Sequence, residues 1–487
     1  MSQSKEATAV LDTPGLAAPP GLRRNYLKLP ELVAQSIGLV GVSGGIGILI
    51  PAVFATAGNG TWLAYLFATI ALLFSSWSIS LFAGVRASPG ALYSYASIGI
   101  GPIWGVICGW SLLVAYAVGA AGILQGTVST FLVVARGLGL IAAAPPLLTA
   151  ALTLVVGFAA WLIAYRDIRL STRLTLLVEL LTLLLIAVVL TAYVGTRTHG
   201  VDPAQSALTG VHADQLRLGM VLAFFSFTGF ESATVLGAEA RNPLQAIPRA
   251  VLISIIGPAL LFIFASYALV SAFHGQQPSL DQVDGPLAVL SRRLGLGELG
   301  LLINTGVALS FFAAFFSSIN AAARIVFTFA KQGLVHAATG RAHATNATPH
   351  IAVTLLVLFS LVLDLILTLH GTALLDAYNY LSTIATYGYL LAYVLVALAA
   401  PLYLHRQKKL RRSQALISLV AIVLLAIPLV GSLYPIPTGP FAWLPYVFLG
   451  LVLLGLLWFL ALRLLAPARL SALETDLIDA GAAQSGE

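Results

Sequence analysis

The feature that most constrains this chain is where its charges are missing. No Asp, Glu, Lys or Arg occurs from Leu32 to Val85, a run of 54 residues. A second gap, of 49 residues, lies between Arg86 and Arg136, and a third, of 50, runs from Ser413 to Leu462. Drawn as one helix, the first gap would be a rod of roughly 80 Å at ~1.5 Å per residue. A bilayer core is about 30 Å thick, so a gap of 54 residues holds two crossings with a turn between them. Over the whole chain 9% of residues are charged, against roughly 25% in a soluble globular chain. This excludes several soluble domains, a disordered chain and a coiled coil. The fold class is an all-α polytopic membrane protein, with the lipid bilayer as its first partner.

Apolar segments parted by turn or charge clusters give twelve expected transmembrane helices. They lie near 32–55, 61–84, 103–135, 143–164, 172–194, 218–239, 250–273, 300–330, 350–369, 377–402, 414–434 and 441–462. Segment 87–101 is too polar and Gly-rich for a span and reads as an interfacial helical lead-in to span 3. The expected organisation is a tail at 1–30, a helical core at 31–402, helices 11 and 12 within 413–464, and a tail at 465–487. The core divides into halves at 31–195 and 217–402. With the N-terminus in the cytoplasm, 20 of the Lys and Arg residues fall on the cytoplasmic side and 5 on the other. That asymmetry predicts both termini inside and an even number of spans. The first ~30 residues are polar and contain Pro and Gly, so no cleavable signal peptide is expected and the first span is retained.

The same charge map removes several function classes. The net charge of +7 is scattered over inter-span loops, so no nucleic-acid partner is expected. Cys108 is the only cysteine, which excludes a disulfide framework and a Cys-rich metal site. The His-rich stretch from His336 to His350 fits no closed ligand set and reads as a solvated loop. No catalytic constellation, metal or cofactor is expected, and the chain does not read as an enzyme.

Two spans carry residues that a membrane helix tolerates poorly. Span 1 holds Gly38, Gly41, Gly44, Gly45 and Gly47, with Ser43 among them and Pro51 beyond. Each glycine costs a helix about 1 kcal/mol relative to Ala. Lipid offers freed backbone groups no partner, so an interruption survives only where it lines a cavity. Span 6 reads Phe224-Phe225-Ser226-Phe227-Thr228-Gly229-Phe230-Glu231-Ser232, a glycine and a carboxyl in mid-span. The interrupted spans are the first and the sixth. If spans 1–5 and 6–10 form two inverted repeats, the breaks correspond and mark a transporter binding site at the repeat interface. Amides at the half-helix N-termini suit a carboxylate and freed carbonyls suit an amine or cation, so the site suits a zwitterion.

These residues also carry a resemblance. Phe227-Thr228-Gly229-Phe230-Glu231-Ser232, followed by Glu239, Arg241-Asn242-Pro243 and Ile247-Pro248-Arg249, resembles the sixth-span signature of the amino acid–polyamine–organocation transporter superfamily. Ser88-Pro89-Gly90-Ala91-Leu92-Tyr93-Ser94-Tyr95 resembles the start of its span 3, and Asn320-Ala321-Ala322-Ala323-Arg324 the end of its span 8. The resemblance covers about residues 25–465. It implies a five-plus-five inverted repeat with two added helices, helices 1 and 6 unwound at mid-membrane, and transport of a small-molecule substrate, an amino acid or related amine. It places the substrate carboxylate at Ser43, Gly44, Gly45 and Ile46, and the amine at the carbonyls of Phe227, Thr228 and Gly229, with Phe225 as an aromatic gate. The chain departs from the family in lacking the aromatic of the span-1 string Gly-x-Gly-Ile-Phe. It also carries Glu179 where some proton-coupled members have a span-5 Lys.

Three acids fall inside expected spans: Glu179, Glu231 and Asp364. Glu231 adjoins the span-6 break and is the expected proton carrier. Glu179 is expected to titrate, pair with a substrate amine or orient span 1, and Asp364 reads as structural. Sodium is the alternative coupling ion, with Ser317 and Ser318 as its candidate ligands. Phe225, Phe227, Phe230, Tyr93 and Tyr95 suggest an apolar, aromatic cavity for a neutral or hydrophobic amino acid. The expected setting is the plasma (inner) membrane.

Overall fold

The computed structural model describes residues 25–465, apart from 89, 166–167, 197–200, 344–345, 347, 435 and 438, with 168–174 described by backbone alone. Most of the two expected tails lies outside these residues, as do Lys5, Arg23, Arg24, Arg166, Arg197 and Arg469 of the charge count. Every named element among the described residues is helical. A membrane solvent leaves the backbone no other way to satisfy its own groups short of a closed barrel.

The first half of the chain forms α1 (Leu29–Val40), α2 (Val42–Gly44), α3 (Ile50–Ala57), α4 (Thr61–Ala83), α5 (Leu92–Ile100), α6 (Pro102–Gly137), α7 (Pro146–Tyr165) and α8 (Ile168–Gly195). After the short α9 (Pro203–Ser206) come α10 (Ala213–Phe225), α11 (Pro243–Phe273), α12 (Pro286–Arg293) and α13 (Gly297–Lys331). The chain continues through α14 (His350–Leu369), α15 (Leu374–Arg406), α16 (Arg412–Gly431) and α17 (Leu444–Leu465).

Among the described residues, ten stretches are long and apolar enough to cross a membrane. Two features separate this count from the twelve expected. The stretch Leu29–Ala83 is 55 residues long and holds the first two expected spans, parted by the turn at Gly58–Gly60. The sixth expected span is not one helix. The 13 residues of α10 are too short to cross, and α10 gives way to turns and a 3-10 segment, Ser232–Leu236.

Helix α6 runs through the middle, packed against α13 and α15. Small residues let the backbones close in: a Cβ on Gly388 of α15 would stand 2.6 Å from the Ser111 carbonyl oxygen of α6, the small-residue packing typical of membrane interfaces. Helices α7, α14, α16 and α17 turn large apolar side chains outward, among them Phe158, Leu358, Leu419 and Leu457. An apolar surface of that extent marks contact with lipid rather than water. The expected lead-in to span 3 is helical as α5 and packed inside the bundle, with Tyr93 and Tyr95 fully enclosed.

Candidate functional site

The first helix is interrupted at one residue. Gly41 has φ 58° and ψ 56°, the left-handed region, and its N–H closes α1 on the Ile37 carbonyl at 2.9 Å. Glycine adopts this conformation without the Cβ clash other residues meet. The chain then resumes as α2 and widens into a π-turn over Gly45–Leu49, with the Ile50 N–H on the Gly45 carbonyl. Pro51 comes next and has no N–H to give, which favours the wider turn before it. The stretch 43–46 is therefore helical rather than open coil, and the break lies earlier, at Gly41.

That break strands the first amides of the resumed helix, and Glu179 of α8 caps them. Its Oε1 accepts the Ser43 N–H at 2.7 Å and its Oε2 accepts the Ser43 hydroxyl at 3.0 Å. The Ser43 amide, expected to hold the substrate carboxylate, is thus occupied from within the protein. Glu179 thus ties α8 to the resumed part of the first helix.

The sixth-span interruption is longer. After Phe225 the chain makes successive three-residue turns: the Phe227, Thr228, Phe230 and Ser232 N–H groups donate to Phe224, Phe225, Phe227 and Gly229. Gly229 has φ 95°, and a Cβ there would overlap Leu39 Cγ of α1. Glycine alone lets the two interrupted segments touch.

Between them lies a cavity of about 20 Å³, lined by Gly41, Gly45, Phe225, Thr228, Phe311, Tyr378 and Tyr389 among others. That volume holds roughly one water and is too small for an amino acid. Phe225 and Phe311 both meet the Tyr378 ring edge-on, at 6.1 and 5.6 Å. Beyond this aromatic layer, toward α3, a second cavity of about 290 Å³ is lined by Gly47, Pro51, Thr130, Asp281, Asp284, Asn304, Asp376 and Asn379.

The opposite side is closed twice. Glu231 is fully buried and accepts two phenols: Tyr116 of α6 on Oε1 at 2.8 Å and Tyr393 of α15 on Oε2 at 2.6 Å. Deeper still, Arg324 of α13 grips Glu239 through Nε and Nη2 at 2.8 and 3.1 Å, with exposures of 1% and 5%. The segment before α1 joins this closure. The Tyr26 and Leu27 N–H groups donate to the Glu239 carbonyl, and the Arg241 N–H donates to the Leu27 carbonyl at 2.6 Å.

The structure sorts the expected residues. Gly45, Phe225 and Thr228 line the small cavity. A Cβ on Gly44 would strike the cavity-lining Phe311 at 2.8 Å, and Ile46 is buried outside the lining. Phe227 packs on Tyr65 and Phe262, Phe230 on Tyr393, Tyr93 on Phe329 and Tyr95 on Phe82. These four rings are core, so Phe225 is joined in the aromatic lining by Phe311, Tyr378 and Tyr389 instead. The Ser318 hydroxyl donates to the Tyr116 carbonyl at 2.9 Å and ties α13 to α6. Ser317 faces Gly38 of α1. Tyr116 and Tyr393 are not among the residues expected from sequence, although a phenol in mid-span asks for a polar partner.

A sequence profile of the amino acid permease family matches residues 27–459. The chain is 25% identical over 402 residues to the branched-chain amino acid permease BcaP of Bacillus subtilis (strain 168), covering 79% of this chain and 83% of that one. It is 24% identical over 360 residues to the mouse (Mus musculus) cationic amino acid transporter 4, covering 69% and 55%. It is 27% identical over 254 residues to the low-affinity putrescine importer PlaP of Escherichia coli (strain K12), covering 48% and 52%. The profile spans nearly all of the helical region, and the chain is an integral membrane protein that belongs to the amino acid permease family of the amino acid–polyamine–organocation superfamily, a family of transporters and not of enzymes.

Proposed function

We propose that this protein is a secondary active transporter that carries amino acids or related amines across the plasma (inner) membrane by proton-coupled symport. It crosses the membrane twelve times as a five-plus-five inverted repeat plus two helices, with both termini in the cytoplasm. The observation that carries this reading is the meeting of two interrupted helices, at Gly41 and at 226–231, across one small cavity. The larger cavity is then the extracellular vestibule, and the Glu231 and Glu239 closures seal the cytoplasmic side, which is one end state of alternating access.

Glu231 is the coupling residue. Both its oxygens accept phenol hydrogens. A proton arriving on either oxygen turns that acceptor into a donor, so one tyrosine must turn its hydroxyl to accept and its bond is no longer charge-assisted. Proton uptake thereby weakens the tie of the sixth-span segment to α6 or α15 and loosens the cytoplasmic seal. Glu179 fixes the resumed part of helix 1 so that the sixth segment moves against a rigid partner. The cavity lining is apolar apart from backbone, Thr228 and two phenols, which favours a neutral aliphatic amino acid. Relatives named for branched-chain amino acid transport fit that choice. A sodium-coupled symporter or an exchanger of the same fold is the alternative, with Ser317 turned toward helix 1 as its support. The test is a thermal-shift panel of amino acids and amines on purified protein, with and without sodium. Stabilisation by neutral aliphatic amino acids, unchanged by sodium, is expected. A shift that requires sodium supports the alternative, and a shift only with diamines overturns the substrate assignment.

A further inference from the structure

Asp364 of α14 takes no part in the cavity or its closures, yet it is fully buried. Neither of its carboxyl oxygens has a hydrogen-bond partner. Two neighbours share the condition: Gln125 Oε1 of α6, in a residue 1% exposed, and Thr368 Oγ1 of α14, in a residue 7% exposed. Their placement is linked. Gln125 reaches α14 at Asp364, where its Nε2 donates to the Asp364 backbone carbonyl at 3.2 Å. That carbonyl is the one a Thr four residues on ordinarily takes, as Thr354, Thr383 and Thr386 do in this protein. With the carbonyl taken, the Thr368 hydroxyl is left free on the same face, one turn from Asp364.

The donor and acceptor inventory of this cluster is short by one hydrogen. Gln125 Oε1 and both oxygens of an ionised Asp364 only accept, and the donors are two, the Thr368 hydroxyl and the Gln125 Nε2 hydrogen not given to the Asp364 carbonyl. The elements packed on α14 here bring no compensating charge. Helix α7 carries no Asp, Glu, Lys, Arg or His over Pro146–Tyr165, α6 has only Arg136 at its far end, and α13 has Glu298, Arg324 and Lys331 toward its ends. On α14 itself the other titratable group is His350, at the start of the helix.

We propose that Asp364, Gln125 and Thr368 form a proton-binding site between α6 and α14, separate from the substrate cavity and from Glu231. One proton on Asp364 completes the set: the acid donates to Gln125 Oε1, and Thr368 donates to the other carboxyl oxygen. The site bears on the outer aromatic layer through Gln125. A Cβ on Gly126 would meet Phe311 at 3.1 Å and Tyr378 at 3.2 Å, and one on Gly122 would meet Leu381 at 3.1 Å. Helix α6 therefore touches that layer at the turn that Asp364 holds, and the bound proton keeps the helix in register.

The test is infrared difference spectroscopy of the purified protein against Asp364→Asn, with thermal unfolding as the check on folding. The expected result is a carbonyl stretch of a protonated acid in an apolar setting, present where surface carboxylates are ionised and lost in Asp364→Asn. If that variant does not fold, Gln125→Met serves instead, and a frequency shift of the same band is expected because its acceptor is gone. An unchanged spectrum in the folded variant overturns the proposal. So does a carboxylate band at this residue that responds to sodium, which would make the site a metal-cation site.

Discussion

The two helix interruptions face the same cavity but are built differently. The first is one left-handed residue, Gly41, after which the helix resumes and is capped by Glu179 through two hydrogen bonds. The sixth runs over 226–231 as successive three-residue turns, with its carboxyl held by tyrosines from α6 and α15. The carboxylate tie of the first involves one neighbouring helix, α8. The ties of the sixth involve three, α4 through Tyr65 on Ser226, α6 and α15, together with the closure of one side of the cavity. Under the proposed mechanism, helix 1 is the fixed reference and the sixth segment the part whose ties are exchanged.

The largest expected effect tests the deepest tie on the sixth-span side. Arg324→Met leaves Glu239 buried without its partner, and breaking such a pair costs about 3–5 kcal/mol. Thermal unfolding should show this as the strongest destabilisation of the series, with partial recovery in the double variant Arg324→Met, Glu239→Gln. Next, Gly229→Ala should cost about 1–3 kcal/mol through overpacking on Leu39 and should reduce substrate binding. Gly41→Ala, with its nearest contact at 3.4 Å, should cost only about 1–2 kcal/mol from its left-handed backbone. Equal effects in the two glycine variants would erase the contrast between rigid and mobile breaks. The smallest effect belongs to Ser43→Ala, which removes one of the two bonds to Glu179 and should cost about 1 kcal/mol. It should leave the pH dependence of uptake in place, whereas a lost pH dependence would move the coupling role from Glu231 to Glu179.

Much of the fold is legible from local pattern. The ninth expected span, 350–369, coincides with α14, His350–Leu369, because a charge-poor run between turn clusters is a local property. The sixth-span break is legible for the same reason, since Gly229 and Glu231 stand close together in one apolar run. The position of the first break is not. Five nearby glycines all permit a left-handed residue, and the one that adopts it, Gly41, lies against Ser310 and Ala314 of the distant α13. The partner of Glu179 lies 136 residues away, and Tyr116 and Tyr393 meet Glu231 from 115 and 162 residues away. Periodicity carries no information on such pairings. Phe227 and Phe230 look like cavity residues because they flank the break, but three-residue turns swing their rings into the core.

The central claim is that proton uptake at Glu231 drives substrate through the cavity between the two interruptions. The most direct measurement is uptake of a labelled neutral aliphatic amino acid into proteoliposomes under an inward proton gradient, comparing the protein with Glu231→Gln. Accumulation above equilibrium that collapses with a protonophore is expected for the protein, and equilibration without accumulation for Glu231→Gln. Equal accumulation by both, or accumulation that needs sodium and ignores the proton gradient, would contradict the account.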